Sequence, residues 1–144
     1  MSSAQRRGPI VIDTDVFSAD LVSGSRLAEL YAPIITGRPA FISFQTVAEL
    51  RYGALRRGWG TARMLKLDAK IHAVEVVHTG PELVRVCAQL RAECAAGGHA
   101  LAQREHNADR WIAATAIRLD VPLISNDTIF RGVHVLELES LARS

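Results

Sequence analysis

Lysine is almost missing from this chain. Lys66 and Lys70 are the only two among 17 basic residues, and arginine supplies the rest. Cysteine is equally scarce, with Cys87 and Cys94 alone. They sit seven residues apart in one helical pattern, which separates their Cα atoms by roughly 10 Å, beyond disulfide reach. A disulfide scaffold is therefore excluded, and without CxxC spacing so is a cysteine zinc site. Long apolar runs are absent too. The longest stretches free of charged side chains are ten residues, such as Pro39–Ala48. A membrane span needs about 20, so none is expected. Arg6-Arg7 looks like a twin-arginine signal, but Asp13 and Asp15 interrupt any apolar segment behind it. These absences lead us to expect a cytoplasmic protein.

The composition that remains is ordinary for a globular fold, with 49% apolar and 22% charged residues over 144 positions. We expect one domain over 1–144, with residues 1–8 as a short polar arm. Net charge is only +2. The arrangement of apolar runs is more telling. Pro9–Asp13, Pro39–Ser43, Ala73–Val77, Pro122–Ser125 and Val133–Leu138 read as five strands, most of them continuous apolar runs rather than alternating ones. Helices are expected over 15–22, Ser25–Ile35, Phe44–Arg57, Thr61–Lys70, Pro81–Ala95 and Asn107–Leu119. Asp13 or Thr14 is placed to cap the first, and Ser43 the third. Strands alternating with helices imply an α/β fold, with helices on both faces of a mainly parallel sheet. Ligands in such folds gather beyond the carboxyl ends of the strands. Asp13, Ser43 and the Ser125-Asn126-Asp127 turn all lie at such ends.

Four acids occupy segments with little reason to carry charge. Asp13 closes Ile10-Val11-Ile12, and Glu49 sits in the apolar neighbourhood Phe41–Leu50. Asp109 opens the run Trp111–Ile117, and Asp127 follows Val121–Asn126. Taken singly, each has an ordinary explanation: Asp13 and Asp109 as helix caps, Glu49 as a solvated residue, Asp127 as a turn residue. Together they point to a shared site. Carboxylates gathered without cations repel one another, and oxygen-only ligands suit Mg²⁺ or Mn²⁺. With these four set aside, 17 basic residues face 11 acidic ones, a balance suited to a nucleic-acid partner.

Four stretches then resemble, in order, the acidic motifs of PIN-domain ribonucleases, most closely the VapC toxins of toxin–antitoxin pairs. They are Val11-Ile12-Asp13-Thr14-Asp15-Val16, Thr46-Val47-Ala48-Glu49-Leu50-Arg51-Tyr52-Gly53, Asn107-Ala108-Asp109-Arg110-Trp111-Ile112-Ala113-Ala114-Thr115-Ala116, and Leu123-Ile124-Ser125-Asn126-Asp127-Thr128-Ile129-Phe130. The resemblance spans residues 11–130; Asp15 departs from it, since such proteins often carry Asn or Ser there. It implies a three-layer α/β/α sandwich with strand order 3-2-1-4-5. It also implies metal-dependent cleavage of structured or looped RNA, transfer or ribosomal RNA in particular, and so inhibition of translation. Asp13 and Asp109 would hold Mg²⁺ or Mn²⁺ directly, with Glu49 and Asp127 acting through water or a second ion. Thr14, Asp15, Ser125 and Asn126 become candidates for supporting these ligands. A homodimer and a small VapB-like antitoxin are implied as well. The antitoxin tail would lie in a groove formed by Phe17, Leu21, Leu30, Phe44 and Leu50.

Arg56 and Arg57, beside Trp59, are candidates for RNA contact, set against a solvated helix end. Arg110 either contacts a substrate phosphate or balances the acids. Trp111 suits core or dimer packing better than base stacking. His106, three residues before Asp109, suits a surface or capping role better than a zinc ligand or general base. The polar stretch 97–106 reads as a mobile loop or short helix near the site. Two other readings stand beside the nuclease. Asp13-Thr14-Asp15-Val16 also matches a haloacid-dehalogenase-type phosphatase, with Asp13 as nucleophile and Asp15 as general acid. That reading wants a lysine at the phosphate, and it leaves Glu49 and Asp109 idle. The other is a PIN fold that only binds.

Overall fold

The structure, a computed structural model, describes residues 8–143. The expected polar arm therefore lies almost wholly outside the described residues. Five strands form one sheet: β1 (Ile10–Ile12), β2 (Ala40–Ser43), β3 (Glu75–Val77), β4 (Leu123–Ile124) and β5 (Leu138–Glu139). Their order is β3-β2-β1-β4-β5, and every pairing is parallel. Six helices surround the sheet: α1 (Thr14–Ser18), α2 (Arg26–Ile35), α3 (Phe44–Arg56), α4 (Thr61–His72), α5 (Pro81–Ala96) and α6 (Asn107–Leu119).

Strand pleating divides the core into two. Val11 and Leu123 turn to the α5–α6 side, among Leu83, Leu90, Ile112 and Phe130. Ile10, Ile12, Ile42 and Ile124 turn the other way, toward Phe17, Tyr31, Leu67 and Ile71. Side chains on alternate faces with both faces covered explain why these strands read as unbroken apolar runs. The result is the expected α/β/α sandwich. Cys87 and Cys94 are both free and buried.

Two expectations need correction, and a third, the loop or short helix over 97–106, is resolved. The first helix is shorter than expected, ending at Ser18 and continuing as a 3-10 turn over Ala19–Leu21. The fifth strand is not Val133–Leu138 but Leu138–Glu139. Val133 and Leu136 both point inward, and the Leu136 N–H donates to Val133 O, so the segment turns rather than extends. Glu139 instead meets the buried Arg38 through two hydrogen bonds of 3.1 and 3.2 Å, which pins this edge strand. The stretch 97–106 forms two 3-10 turns, Ala100–Ala102 and Arg104–His106, with Leu101 fully buried.

Candidate metal-binding and nuclease site

β1 is central, with β2 on one side and β4 on the other, and the chain leaves all three in the same direction. The crevice beyond their carboxyl ends is where such sheets place ligands. Asp13 follows β1 directly and caps α1. Its Oδ1 accepts the Thr14 N–H at 2.7 Å, and its Oδ2 accepts the Ser125 hydroxyl at 2.6 Å from the end of β4. Asp13 is only 7% exposed. Burial pushes its carboxyl up from an ordinary 3.8 to about 6, against the two hydrogen bonds, and the charges of Asp15 and Asp109 push the same way.

Glu49 projects from α3, six residues after its cap. Ser43 supplies that cap by accepting the Gln45 N–H. The Thr14 hydroxyl donates to Glu49 Oε1 at 2.9 Å. Thr14 and Thr46 hydroxyls lie 3.0 Å apart. Because the one proton of Thr14 goes to Glu49, Thr46 is the donor in that second bond. The Glu49 carboxyl is also raised, by partial desolvation first and then by Asp109 and Asp15, with the Thr14 bond opposing. Asp109 lies in the first turn of α6, where His106 Nδ1 sits 2.9 Å from its Oδ2. A carboxylate only accepts, so Nδ1 carries the proton in this pair.

Asp13 and Glu49 thus both feel the charges of Asp15 and Asp109. Asp127 is bonded locally. Its Oδ1 accepts the Ile129 N–H and caps the 3-10 turn Thr128–Phe130, while its own N–H donates to Ser125 Oγ. Asn126 is held from below, its Oδ1 2.7 Å from the hydroxyl of the fully buried Tyr31. Sequence reasoning missed Thr46 and Tyr31. Thr46 had a visible signal, three residues before Glu49 on one helix face. Tyr31, 95 residues from Asn126, had none.

Among the described residues, no group of three or more His, Cys, Asp or Glu side chains is arranged so as to hold a metal ion. The chemistry of the donors nonetheless fits a hard divalent cation. They are all oxygens, burial raises the Asp13 and Glu49 carboxyls, and no described lysine or arginine forms an ion pair with Asp13, Asp15, Glu49, Asp109 or Asp127.

Two expectations around the site fail on burial. Arg110 is 2% exposed, and its guanidinium donates to Leu101 O at 2.9 Å, Gln103 O at 2.5 Å and Asn107 Oδ1 at 3.3 Å. It has no face for a phosphate, and it pins the loop expected to move. Phe17 is 2% exposed in the core and cannot line a groove. Phe44 packs edge-on against Trp111, with ring centroids 5.4 Å apart. Leu21 and Leu50 do line a groove next to Glu49, and Leu30 is exposed. Arg56 and Arg57 are both exposed at the end of α3. Lys70 pairs with Asp20 at 2.9 Å and lies over the Phe17 ring, so it serves no phosphate at Asp13.

The family model described as PIN domain matches residues 10–136. No curated protein sequence matches the chain significantly. Several solved structures share the fold. VapBC2 from Rickettsia felis, bound to a DNA fragment from its promoter, superposes with a TM-score of 0.75 at 21% identity, covering 92% of this chain and 98% of that one. FitAcB from Neisseria gonorrhoeae gives 0.70 at 23%, covering 90% and 95%. VapBC-5 from Mycobacterium tuberculosis, a member of the VapBC family of toxin–antitoxin systems, gives 0.66 at 26%, covering 94% and 98%.

Proposed function

The chain belongs to the PIN-domain family, and from that premise we propose that it is a VapC-type toxin, a divalent-metal-dependent endoribonuclease. Its substrate is structured or looped RNA, transfer or ribosomal RNA foremost, and its cellular effect is arrest of translation. The observation that carries this reading is the uncompensated carboxylate cluster at the carboxyl end of the central strand. A buried Asp13 with a raised pKa, coupled to Asp15 and Asp109, fits a cation-binding role better than a structural one.

Asp13 and Asp109 are the direct ligands, with Glu49 and Asp127 completing the set. Bound Mg²⁺ or Mn²⁺ supplies activation of water and neutralisation of phosphate charge. The chain's own residues do the positioning. Ser125 and the Thr14 N–H fix both oxygens of Asp13. The Thr46–Thr14 relay aims Glu49. His106 holds one oxygen of Asp109 and leaves the other free. The partner is a VapB-like antitoxin whose tail occupies the groove beside Glu49. The VapBC complexes among the structural relatives support that partner. A homodimer is part of the same reading.

The test is cleavage of an RNA pool by the protein freed of any partner, with Mg²⁺ or Mn²⁺ and with EDTA. Discrete fragments are expected, lost with EDTA and lost by at least about 100-fold in Asp13→Asn and Asp109→Asn. Removing even the partners that orient metal ligands costs 10–100-fold. A toxic effect that survives Asp13→Asn in cells would instead mark a PIN fold that acts by binding alone. Release of phosphate from monoesters, with RNA left intact, would favour the phosphatase.

His106→Ala gives a finer check. Losing the bond that orients Asp109 is expected to weaken Mn²⁺ binding about 10-fold, read by titration calorimetry, with little change in melting temperature. Unchanged Mn²⁺ affinity would make the His106–Asp109 pair incidental.

A further inference from the structure

Arg57 is one of several arginines whose side chain bonds to nothing among the described residues. Arg38, Arg51, Arg91, Arg110 and Arg131 each bond to a carboxylate or a backbone carbonyl. Among the described residues, the Arg57 side chain makes no hydrogen bond or ion pair. Its position is nevertheless specific. Glu49, Gly53 and Arg57 follow one another at four-residue spacing, so they share one face of the α3 turn sequence. A Cβ built on Gly53 would lie 3.4 Å from Arg57 Nη1. The guanidinium is therefore folded back along the helix, close over Gly53. It lies on the wall of a groove of about 250 Å³ that Thr14, Asp15, Glu49, Gly53 and Trp59 also line. The groove thus runs directly from the carboxylate cluster to this unpaired cation.

We propose that Arg57, seated over Gly53, is a phosphate-binding site for a single-stranded RNA segment flanking the carboxylate cluster. The inference rests on the ribonuclease reading above and assigns part of the substrate path. A planar guanidinium with free donors suits bidentate contact with a phosphodiester. The surroundings favour a polyanion over a single acidic group. Residues 51–70 hold six basic side chains and one acid, Asp68, and once Arg51 pairs with Asp68 and Lys70 with Asp20, Arg56, Arg57, Arg63 and Lys66 remain. An acidic peptide in the groove would carry its carboxylates against Asp15 and Glu49. A nucleic-acid strand needs only one phosphate at Arg57 and can run along the groove toward the carboxylates. Arg56, the neighbouring residue, is equally exposed but does not line the groove.

The experiment uses the full chain carrying Asp13→Asn, so that bound RNA is not cut. Binding of a fluorescent random-sequence single-stranded oligoribonucleotide is followed by anisotropy across a salt series. Arg57→Gln is expected to weaken binding about 5- to 10-fold. It should also flatten the dependence of log K on log salt by about 0.7, the loss of one contact to a single strand. Arg56→Gln makes the same change in charge and should alter affinity less than about twofold. Gly53→Ala keeps the charge and is a better helix former, so it should not unfold α3. Its added methyl stands in ordinary contact with the guanidinium, so affinity should change less than about twofold. Equal effects of Arg57→Gln and Arg56→Gln would overturn the site, leaving only general charge attraction. Competition by polyglutamate at least as strong as by unlabelled RNA would assign the groove to an acidic peptide and refute the proposal. If the Asp13→Asn protein binds no RNA with Arg57 intact, the ribonuclease reading fails first. If it binds RNA but ignores Arg57, only this inference fails.

Discussion

Replacing Asp13 by Asn is expected to stabilise the metal-free protein at pH 7.5 while removing its activity. The folded protein holds the Asp13 carboxyl near pH 6, against an ordinary 3.8, chiefly because the group is buried. A raised folded pKa means that the neutral form is favoured by folding. The associated stability is fully present below about pH 3.8 and is lost as pH rises through about 6. The difference corresponds to about 3 kcal/mol, since each pKa unit is worth about 1.4 kcal/mol. Asn carries no charge at any pH, so its protein escapes this loss. It still accepts from the Thr14 N–H, but its amide no longer accepts the Ser125 proton. A net gain of about 1–3 kcal/mol follows, or roughly 3–9 °C in melting temperature for a chain of this size. Saturating Mg²⁺ or Mn²⁺ should reverse the order. A ligand at about 100 times its Kd adds about 2.7 kcal/mol to the protein that binds it and nothing to the one that does not. Melting curves of both proteins from pH 4 to 8, with EDTA and with metal, read all of this. Parallel pH profiles for wild type and Asp13→Asn would show that Asp13 is not the strained group.

Asp13, Glu49 and Asp109 stood out in residue order because they sit in apolar segments, although Asp13 also has the ordinary role of capping α1. The doubly covered sheet was legible because its strands are continuous apolar runs. Thr14 and Ser125 were expected to support the acids, but which distant residues pair was not legible. Ser125 reaches Asp13 across 112 residues, Thr14 reaches Glu49 across 35, and Arg38 reaches Glu139 across 101. Nothing local marks such pairs. β5 was misplaced because Val133-His134-Val135-Leu136 has strand-like residues, while its real partner of β4 is only two residues long. The turn after Gly132, with Val133 and Leu136 inward at a spacing of three, is the detail that apolarity alone conceals. Arg110 was misread for its charge. Its spacing told otherwise, since Ala113 and Ala114, three and four residues on, are both fully buried on the same face.

Arg110→Ala is therefore expected to cost much of the protein's stability. The guanidinium reaches two backbone carbonyls, Leu101 O and Gln103 O, and the Asn107 side chain. It is the bolt between α6 and the 3-10 turns leading to His106. Truncation orphans these acceptors in a place where water has little access, and it leaves a cavity between α5 and α6. Each orphaned buried group costs about 1–3 kcal/mol. Together with the lost packing, a fall of about 3–5 kcal/mol is expected, or roughly 10–15 °C. Arg110→Lys should recover only part of it, because an ammonium on a shorter reach cannot serve both carbonyls as Nη1 does and also put a second nitrogen at Asn107 Oδ1. The local consequence matters as much as the global one. Freed of Arg110, residues 100–106 should exchange amide hydrogens faster. His106 then loses its fixed place beside Asp109, so Mn²⁺ affinity should fall even in the fraction that stays folded. An RNA-contacting Arg110 predicts the reverse pattern: an unchanged melting temperature, unchanged exchange over 100–106, and weaker RNA binding. Melting and hydrogen exchange on one variant therefore decide between a residue that holds the site together and one that touches its substrate.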